Sequence, residues 1–573
     1  MNHFILYKNL LPQKDFTFQL PNGYFITFDS EPEQVTFENT TYYISGDFIS
    51  NKQLLENFQS SNLKSFKGHF YLIRQTKDSL EIYSSFLNIL PIYFLSGYTI
   101  VSSNFNHIIK AYQKELTVDK KFILECLLFN YGFFNRTFFK EISLLPANTS
   151  LSINFTAIHE NKVYDTSALF EPSNVKLSEN ELADLFIKTS KSYFPDSTTH
   201  VAFTGGFDGR TIVSCGLYYN IQFKTFSFGK PENDDVSIPE KNAIELNIPY
   251  QSLNLGNASY LEKDYIQSAI DFNQSSVGGN GFIYSHVSYA SKKLAKESNY
   301  LLAGYFGSEL FRALHIEGAV SSEALLFLFN TDDEVTIRNY LLKYVGFEFI
   351  HKHEFENEIN ELILELINYK NNLPKQLTKN QKMYVFVFEE IFRKLFGQWI
   401  VAQQEYLIVR TPFLDYEFIK ELLKTNFAGA NADFLTKNPY KRMNGQVVYA
   451  HIIKKTNSTI LYQKTGKGYR PIDIINKLYL TKLIGAFALK KLKRKVRKEN
   501  LDNLSIISGD KSSFLNSLLN SNHNALFNTA KIVSQISSLK PYMNEKQRDN
   551  ILMSAALSSQ LNQLKSEIKS NSA

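Results

Sequence analysis

Over the first 165 residues, apolar and polar positions alternate in short runs. These are Tyr24-Phe-Ile-Thr-Phe28, Tyr42-Tyr-Ile44, His69-Phe-Tyr-Leu-Ile73, Leu80-Glu-Ile-Tyr83, Ile92-Tyr-Phe94 and Thr99-Ile-Val101. A period of two, rich in aromatic and β-branched residues, predicts strands. One helical patch, Lys120–Phe129, precedes a further turn-and-strand stretch that ends near Ile153. Near residue 170 the pattern changes: polar 171–178 leads into a predicted helix over 179–192. From 195 to 310, predicted strands at 201–203, 223–228, 250–253 and 300–303 alternate with helices, notably 236–246 and 284–298. Such alternation predicts a parallel sheet, which binds ligands at the carboxyl ends of its strands. Beyond 320 the pattern is helical, shows no clear strand and predicts a cover for the sheet. No internal repeat is visible.

At 573 residues the chain exceeds a single core, so two or three domains are expected. A hydrophobic content of 44% with 21% charged residues fits an ordinary globular protein, and no apolar run approaches a membrane span. The opening Met-Asn-His-Phe-Ile-Leu-Tyr-Lys lacks a basic-then-apolar secretion pattern, which predicts a cytoplasmic protein. Cys126 and Cys215 are too few for a disulfide framework and sit in apolar helical patterns, as small core residues do. The net charge of +6 is uneven: residues 481–573 hold 15 Lys+Arg against 6 Asp+Glu, which leaves −3 on the first 480. Most of that surplus is the run 490–498, read as a solvated helix face or as a contact with an anionic surface. Without interleaved aromatics it does not predict nucleic-acid binding.

Chemistry concentrates in His200-Val-Ala-Phe-Thr-Gly-Gly-Phe-Asp-Gly-Arg210. A strand, a turn at Thr204-Gly205-Gly206 and a helix from Thr211 onward would present backbone N–H groups and a positive helix end to a phosphate. The glycines let an anion approach closely. Asp208 adds a carboxylate where a magnesium ion bridging phosphate oxygens needs a ligand. The bland alternative is a strand-to-helix turn with a surface Asp. The pattern is neither Gly-x4-Gly-Lys nor Gly-x-Gly-x-x-Gly. Gly229 and Gly304 also fall at carboxyl ends of predicted strands, so all three are expected to converge on one crevice.

Thr204-Gly-Gly-Phe-Asp-Gly209 resembles the Ser-Gly-Gly-x-Asp-Ser loop of ATP pyrophosphatases. Four segments follow in order: Thr225-Phe-Ser-Phe-Gly229 with acidic Glu232, Asp234 and Asp235 behind it, Leu302-Ala-Gly-Tyr-Phe-Gly-Ser-Glu-Leu-Phe311, Arg410-Thr-Pro-Phe-Leu-Asp415, and Tyr462-Gln-Lys-Thr-Gly-Lys-Gly-Tyr-Arg-Pro471. With Gly68-His-Phe-Tyr71 and Pro91-Ile-Tyr93 upstream, residues 60–475 resemble the asparagine synthetase family of the class II, glutamine-dependent type. The resemblance implies an α+β, glutaminase-like (Ntn-type) sandwich domain over 1–170. An α/β parallel-sheet ATP-pyrophosphatase domain (adenine nucleotide alpha hydrolase-like) with a helical cover would span 171–480. A basic helix and Ser/Asn-rich helical tail would fill 481–573.

The implied reaction joins a carboxylate to the α-phosphate of ATP, releases pyrophosphate, and lets a nitrogen nucleophile displace AMP. Asp208 and Glu309 would hold Mg2+, and Thr204, Gly205, Gly206, Asp208 and Gly209 the pyrophosphate. Phe203, Phe228, Ala303 and Gly304 would line the adenosine pocket. Lys464 and Lys467 compete for one role, stabilising charge on the transferring phosphoryl group. Tyr305, shared with β-lactam synthetases, is either a catalytic phenol or a pocket wall. Asp415 is expected to cap the following helix, with Arg410 anchoring its turn. Gly278-Gly-Asn-Gly281 reads as a mobile loop over the substrate or a second anion cradle.

The departures are as telling. Residue 2 is Asn2, not the nucleophilic cysteine, and Ser84-Ser-Phe-Leu-Asn88 replaces the family's Arg-Asp-x-x-Gly. A literal alignment puts Ser308 at the second metal-binding Asp; one residue inserted at Phe306 gives the role to Glu309. Ile408 replaces the Glu preceding the family's Arg-x-Pro-Phe-Leu-Asp. These changes imply an inactive glutaminase part and a ligase taking ammonia or an amine. The partner would be a small-molecule or peptide carboxylate, with a macrocyclic peptide, an amidated sugar acid or asparagine as product. Genuine asparagine synthesis from aspartate is the conservative alternative, and a catalytically silent binding scaffold the alternative of another class.

Overall fold

Alternation in the N-terminal part builds two six-stranded antiparallel sheets. The first runs Ile142–Leu144, Tyr93–Leu95, Ile100–Ser102, Phe4–Lys8, Tyr24–Phe28, Thr17–Gln19. The second runs Ile158–Lys162, Thr149–Asn154, Ser79–Ser84, Phe70–Gln75, Thr40–Gly46, Glu33–Phe37. The structure, a computed structural model, describes residues 2–8, 16–20, 23–112, 114–154, 158–312, 322–431, 444–476, 485, 525–537 and 545–572. The basic run 490–498 lies outside them.

Because side chains alternate across a strand, one face of each sheet meets the other. Phe4 lies 5.3 Å from Tyr71, and Phe28 lies 6.1 Å from Tyr43, ring centre to ring centre. The opposite face of the second sheet, with Tyr42, Ile44 and Leu72, is covered by Leu55, Phe58 and Leu63. Lys120–Phe129 forms the expected helix, capped by Asp119, whose carboxylate accepts the Lys121 and Phe122 N–H groups.

The parallel sheet follows the predicted order of strands and helices. Its strands lie side by side as Tyr250–Asn254, Lys224–Gly229, Thr199–Ala202, Tyr300–Leu302 and Ile408–Arg410. The fifth corrects the expectation of no strand beyond 320; at three residues between helices, it leaves no period to detect. The fold is therefore α+β, with two antiparallel sheets and one parallel sheet. Among the described residues no helix is long and apolar enough to cross a membrane.

One buried cluster runs from Phe4 through Val201 to Leu564, and both cysteines lie within it. The C-terminal helix Glu545–Ser572 feeds that cluster with Ile551, Met553, Ala556 and Leu557, each at most 2% exposed. Its Gln560 accepts from Gly278 N–H at 3.2 Å and donates to the Gly279 carbonyl at 2.9 Å. Residues 278–281 are buried, so they form neither the mobile loop nor the open anion cradle expected of them.

Arg410 joins the two parts. Its guanidinium grips Asp47 through two hydrogen bonds of 2.7 and 2.9 Å, a bidentate pair. Beside it His69 meets Thr411 at 2.9 Å, and Lys67 meets Asp415 at 3.3 Å. Asp415 also accepts the Phe418 N–H at 3.2 Å and so caps helix Tyr416–Leu423.

Candidate functional site

Where strand Thr199–Ala202 ends, the glycine turn leads straight into helix Asp208–Tyr218. The helix starts three residues earlier than its apolar period announces, which places Asp208 on its first turn, at the positive end of the dipole. Two glycines are required by space. A Cβ on Gly209 would collide with the Ala202 carbonyl, and one on Gly304 would lie 2.7 Å from the Asp208 Cβ. The Gly304 turn thus packs flat against Asp208.

Phe306 completes that turn in the left-handed region (φ 70°) and buries its ring 4.7 Å from Phe392. A bulky residue holds such a backbone only where packing imposes it. The turn brings Ser308 Oγ within 2.8 Å of Asp208 Oδ2, to which it donates. Tyr449 donates its hydroxyl to Asp208 Oδ1. Glu309 follows immediately; burial, then the charge of Asp208, pushes its carboxyl up to about 7. Both residues that the two alignments put forward therefore bear on Asp208.

Two carboxylates and a hydroxyl are hard oxygen donors of the kind Mg2+ takes, and a cation would relieve the repulsion that now raises Glu309. Among the described residues no group of three or more His, Cys, Asp or Glu is placed to hold a metal. Mg2+ here would complete its shell from phosphate oxygens and water, its usual habit.

The turn's own polar groups are engaged. Gly205 N–H donates to Asp235 Oδ1 at 3.2 Å, Gly206 N–H to Thr204 Oγ1 at 3.2 Å, and Gly466 N–H to the Gly205 carbonyl at 2.8 Å. An acidic group already sits where the Gly205 N–H can reach it, and the lysine loop closes directly on the turn. Beneath them Arg210 is wholly buried and donates to the Gly206 and Lys464 carbonyls at 3.4 and 3.1 Å. Burial pulls its guanidinium down to about 10, which leaves it charged at neutral pH. The two lysines part company: the Lys464 side chain is exposed, whereas Lys467 Nζ stands 5.7 Å from the Phe207 ring, over the turn.

The residues expected around adenosine divide too. Phe203 and Ala303 are 0% and 1% exposed, so neither presents surface to a ligand and both belong to the core beneath the turn. Phe228 is half-buried, with its ring 4.7 Å from His286. Tyr305 stands against Phe396 and Trp399 at 5.8 and 5.6 Å. Burial raises its phenol, an effect the Gln403 amide offsets only in part. Tyr449 took no part in the sequence-based site, whereas Arg210 and Asp235 lay in the quoted stretches without a role of their own. Two small clefts open elsewhere, between the N-terminal sheets and the helical layer, and neither is lined by Asp208 or Glu309.

No protein-family model matches the chain, and no curated protein matches it. Among solved structures it is similar to the glutamine phosphoribosylpyrophosphate (PRPP) amidotransferase from B. subtilis complexed with ADP and GMP. The identity is 11% and the TM-score 0.17, over 44% of this chain and 59% of that one. The chain thus spans less than two thirds of that protein's length, and a likeness of that size carries no argument about fold or activity.

Proposed function

We propose that the protein is an asparagine-synthetase-like, AMP-forming ligase that activates a carboxylate with ATP and joins it to ammonia or an amine. The observation that carries this reading is the meeting of Asp208, Ser308 and Glu309 at the head of helix Asp208–Tyr218, beside a glycine turn closed by Gly466. A carboxylate oxygen of the substrate bonds to the α-phosphorus as the bond to the bridging oxygen breaks, and the electron pair leaves with pyrophosphate. On this reading the Gly205 and Gly206 N–H groups exchange Asp235 and Thr204 for that leaving group, and the helix end and Lys467 add to the charge they meet. Mg2+ on Asp208 and Glu309 would supply the remaining neutralisation. Nitrogen then bonds to the acyl carbon, the bond from that carbon to the AMP oxygen breaks, and nitrogen yields a proton to solvent. Tyr305, its phenol held neutral among aromatic rings, serves as a wall and not as a base.

The chain divides functionally at about 170 and 480 on this reading. The first part has no nucleophile at residue 2, where the Asn2 amide is tied to the Ser30 backbone by two hydrogen bonds of 2.8 Å. One observation favours the silent scaffold instead: both Asp208 oxygens and the Gly205 N–H already have internal partners. Pyrophosphate release separates the two. A ligase fed ATP, Mg2+, ammonium or an amine, and a panel of peptide acids, sugar acids and aspartate releases pyrophosphate and AMP in equal amounts with at least one acid. Glutamine does not replace ammonium. No release across the panel overturns the ligase reading.

A further inference from the structure

We infer that the acceptor side of this site takes an uncharged aromatic or apolar group bearing an amide, in preference to a free, charged amino acid such as aspartate. The inference rests on the ligase reading for where the reacting carboxylate lies, but the pocket is argued from its own walls. Gly304 touches Asp208, and from the next residue a continuous wall of rings departs. Tyr305 lies 5.6 Å from Trp399, Trp399 5.0 Å from Tyr284, Tyr284 6.4 Å from His286, and His286 4.7 Å from Phe228. Phe228 returns the wall to the carboxyl end of strand Lys224–Gly229, next to the glycine turn.

All five rings are half-buried. Each is enclosed by protein over most of its surface and keeps part of it uncovered. His286 belongs among the neutral walls, because burial pulls its imidazole down to about 4. At the far end Arg548 and Asp549 flank Tyr284 with opposite charges. A free aspartate, with an ammonium and two carboxylates, would find no charged partner on the rings themselves and would lose hydration there.

Trp399 and Gln403 stand one turn apart on helix Gly397–Gln404, hence on one face. The Trp399 Nε1–H and the Gln403 Oε1 are buried and have no hydrogen-bond partner, and Gln403 is only 5% exposed. The Gln403 amide lies close enough to the Tyr305 phenol to offset part of the effect of burial on it. One unpaired donor and one unpaired acceptor, a helical turn apart beside flat rings, complement the carbonyl and N–H of an amide. A carboxylate would meet the Gln403 oxygen with repulsion.

Trp399 is the chain's single tryptophan, so its emission reports on this wall without nucleotide or turnover. The full chain titrated with 3-phenylpropanamide is expected to show a saturable emission change, and aspartate at the same concentrations none. Methyl 3-phenylpropanoate, which keeps the carbonyl and has no N–H, should bind about tenfold more weakly. Gln403→Met should erase that difference; if the variant does not fold, the amide–ester comparison on the natural chain decides. Equal binding of ester and amide, no saturation with the amide, or saturation with aspartate would overturn the inference. A chain that binds the amide but never releases pyrophosphate keeps this pocket and loses the ligase reading. Pyrophosphate release with aspartate and no response to the amide does the reverse.

Discussion

At the head of strand Phe4–Lys8, Asn2 and the Ser30 backbone satisfy each other, and His3 sits between Ser103 at 3.3 Å and Glu405 at 3.1 Å. At the end of strand Thr199–Ala202, Asp208 instead lies close enough to Glu309 for its charge to help push that carboxyl up to about 7. In the first corner polar groups close on opposite or neutral partners, which is what stability alone would select. In the second, Asp208 accepts from Ser308 and Tyr449, yet a second carboxylate is kept beside it at the head of a helix, an arrangement that a proton or a cation relieves. Substitutions in the first corner should therefore cost stability, and those in the second should cost ligand binding.

The largest expected effect tests the joint on which both corners depend. Arg410→Ala leaves Asp47 buried without its partner and should lower unfolding free energy by about 3–5 kcal/mol in chemical denaturation. A loss under about 1 kcal/mol would mean that the two parts are not locked there.

Next comes pH. Burial holds His69 down to about 4, while the unfolded chain takes its proton near the ordinary 6.5. The folded state binds fewer protons between those values, so stability is present above pH 6.5 and lost as pH falls towards 4. The loss is about 3 kcal/mol at most, and His69→Gln should flatten that part of the melting-temperature profile.

Gly304→Ala drives a methyl group against Asp208 and should cut pyrophosphate release about 100-fold, a misplacement effect. Asn2→Ala, the smallest change, should lower stability by about 1 kcal/mol and leave nucleotide binding within about twofold. Equal effects of the last two on nucleotide binding would erase the contrast between the corners.

Strands such as Tyr24–Phe28 and Lys224–Gly229 were legible because each carries its own period or apolar run. Helix Glu179–Ser190 was legible from the polar stretch 171–178 that precedes it, and the structure fixes its start with the Ser178–Glu181 capping box. What escaped depended on distant partners. Strand Ile408–Arg410 is defined by its neighbour Tyr300–Leu302, and residues 278–281 looked open because Gln560 lies some 280 positions away. The C-terminal helix buries Ser554, Ser558 and Gln560 among its apolar residues, which blurs the helical period. At the site the glycine turn and Asp208 were readable as a motif. The choice between Ser308 and Glu309 was not, because it turns on the left-handed backbone of Phe306.

Asp208→Asn sets the two corners against each other in one protein. Isothermal titration with Mg-ATP, paired with a thermal melt of the ligand-free chain, should show saturable binding by the natural protein. The variant should bind at least about tenfold more weakly, with a melting temperature unchanged or higher because a repelling charge is gone. No Mg-ATP binding by the natural chain, or equal binding by the variant, would contradict the assignment of this corner to nucleotide chemistry.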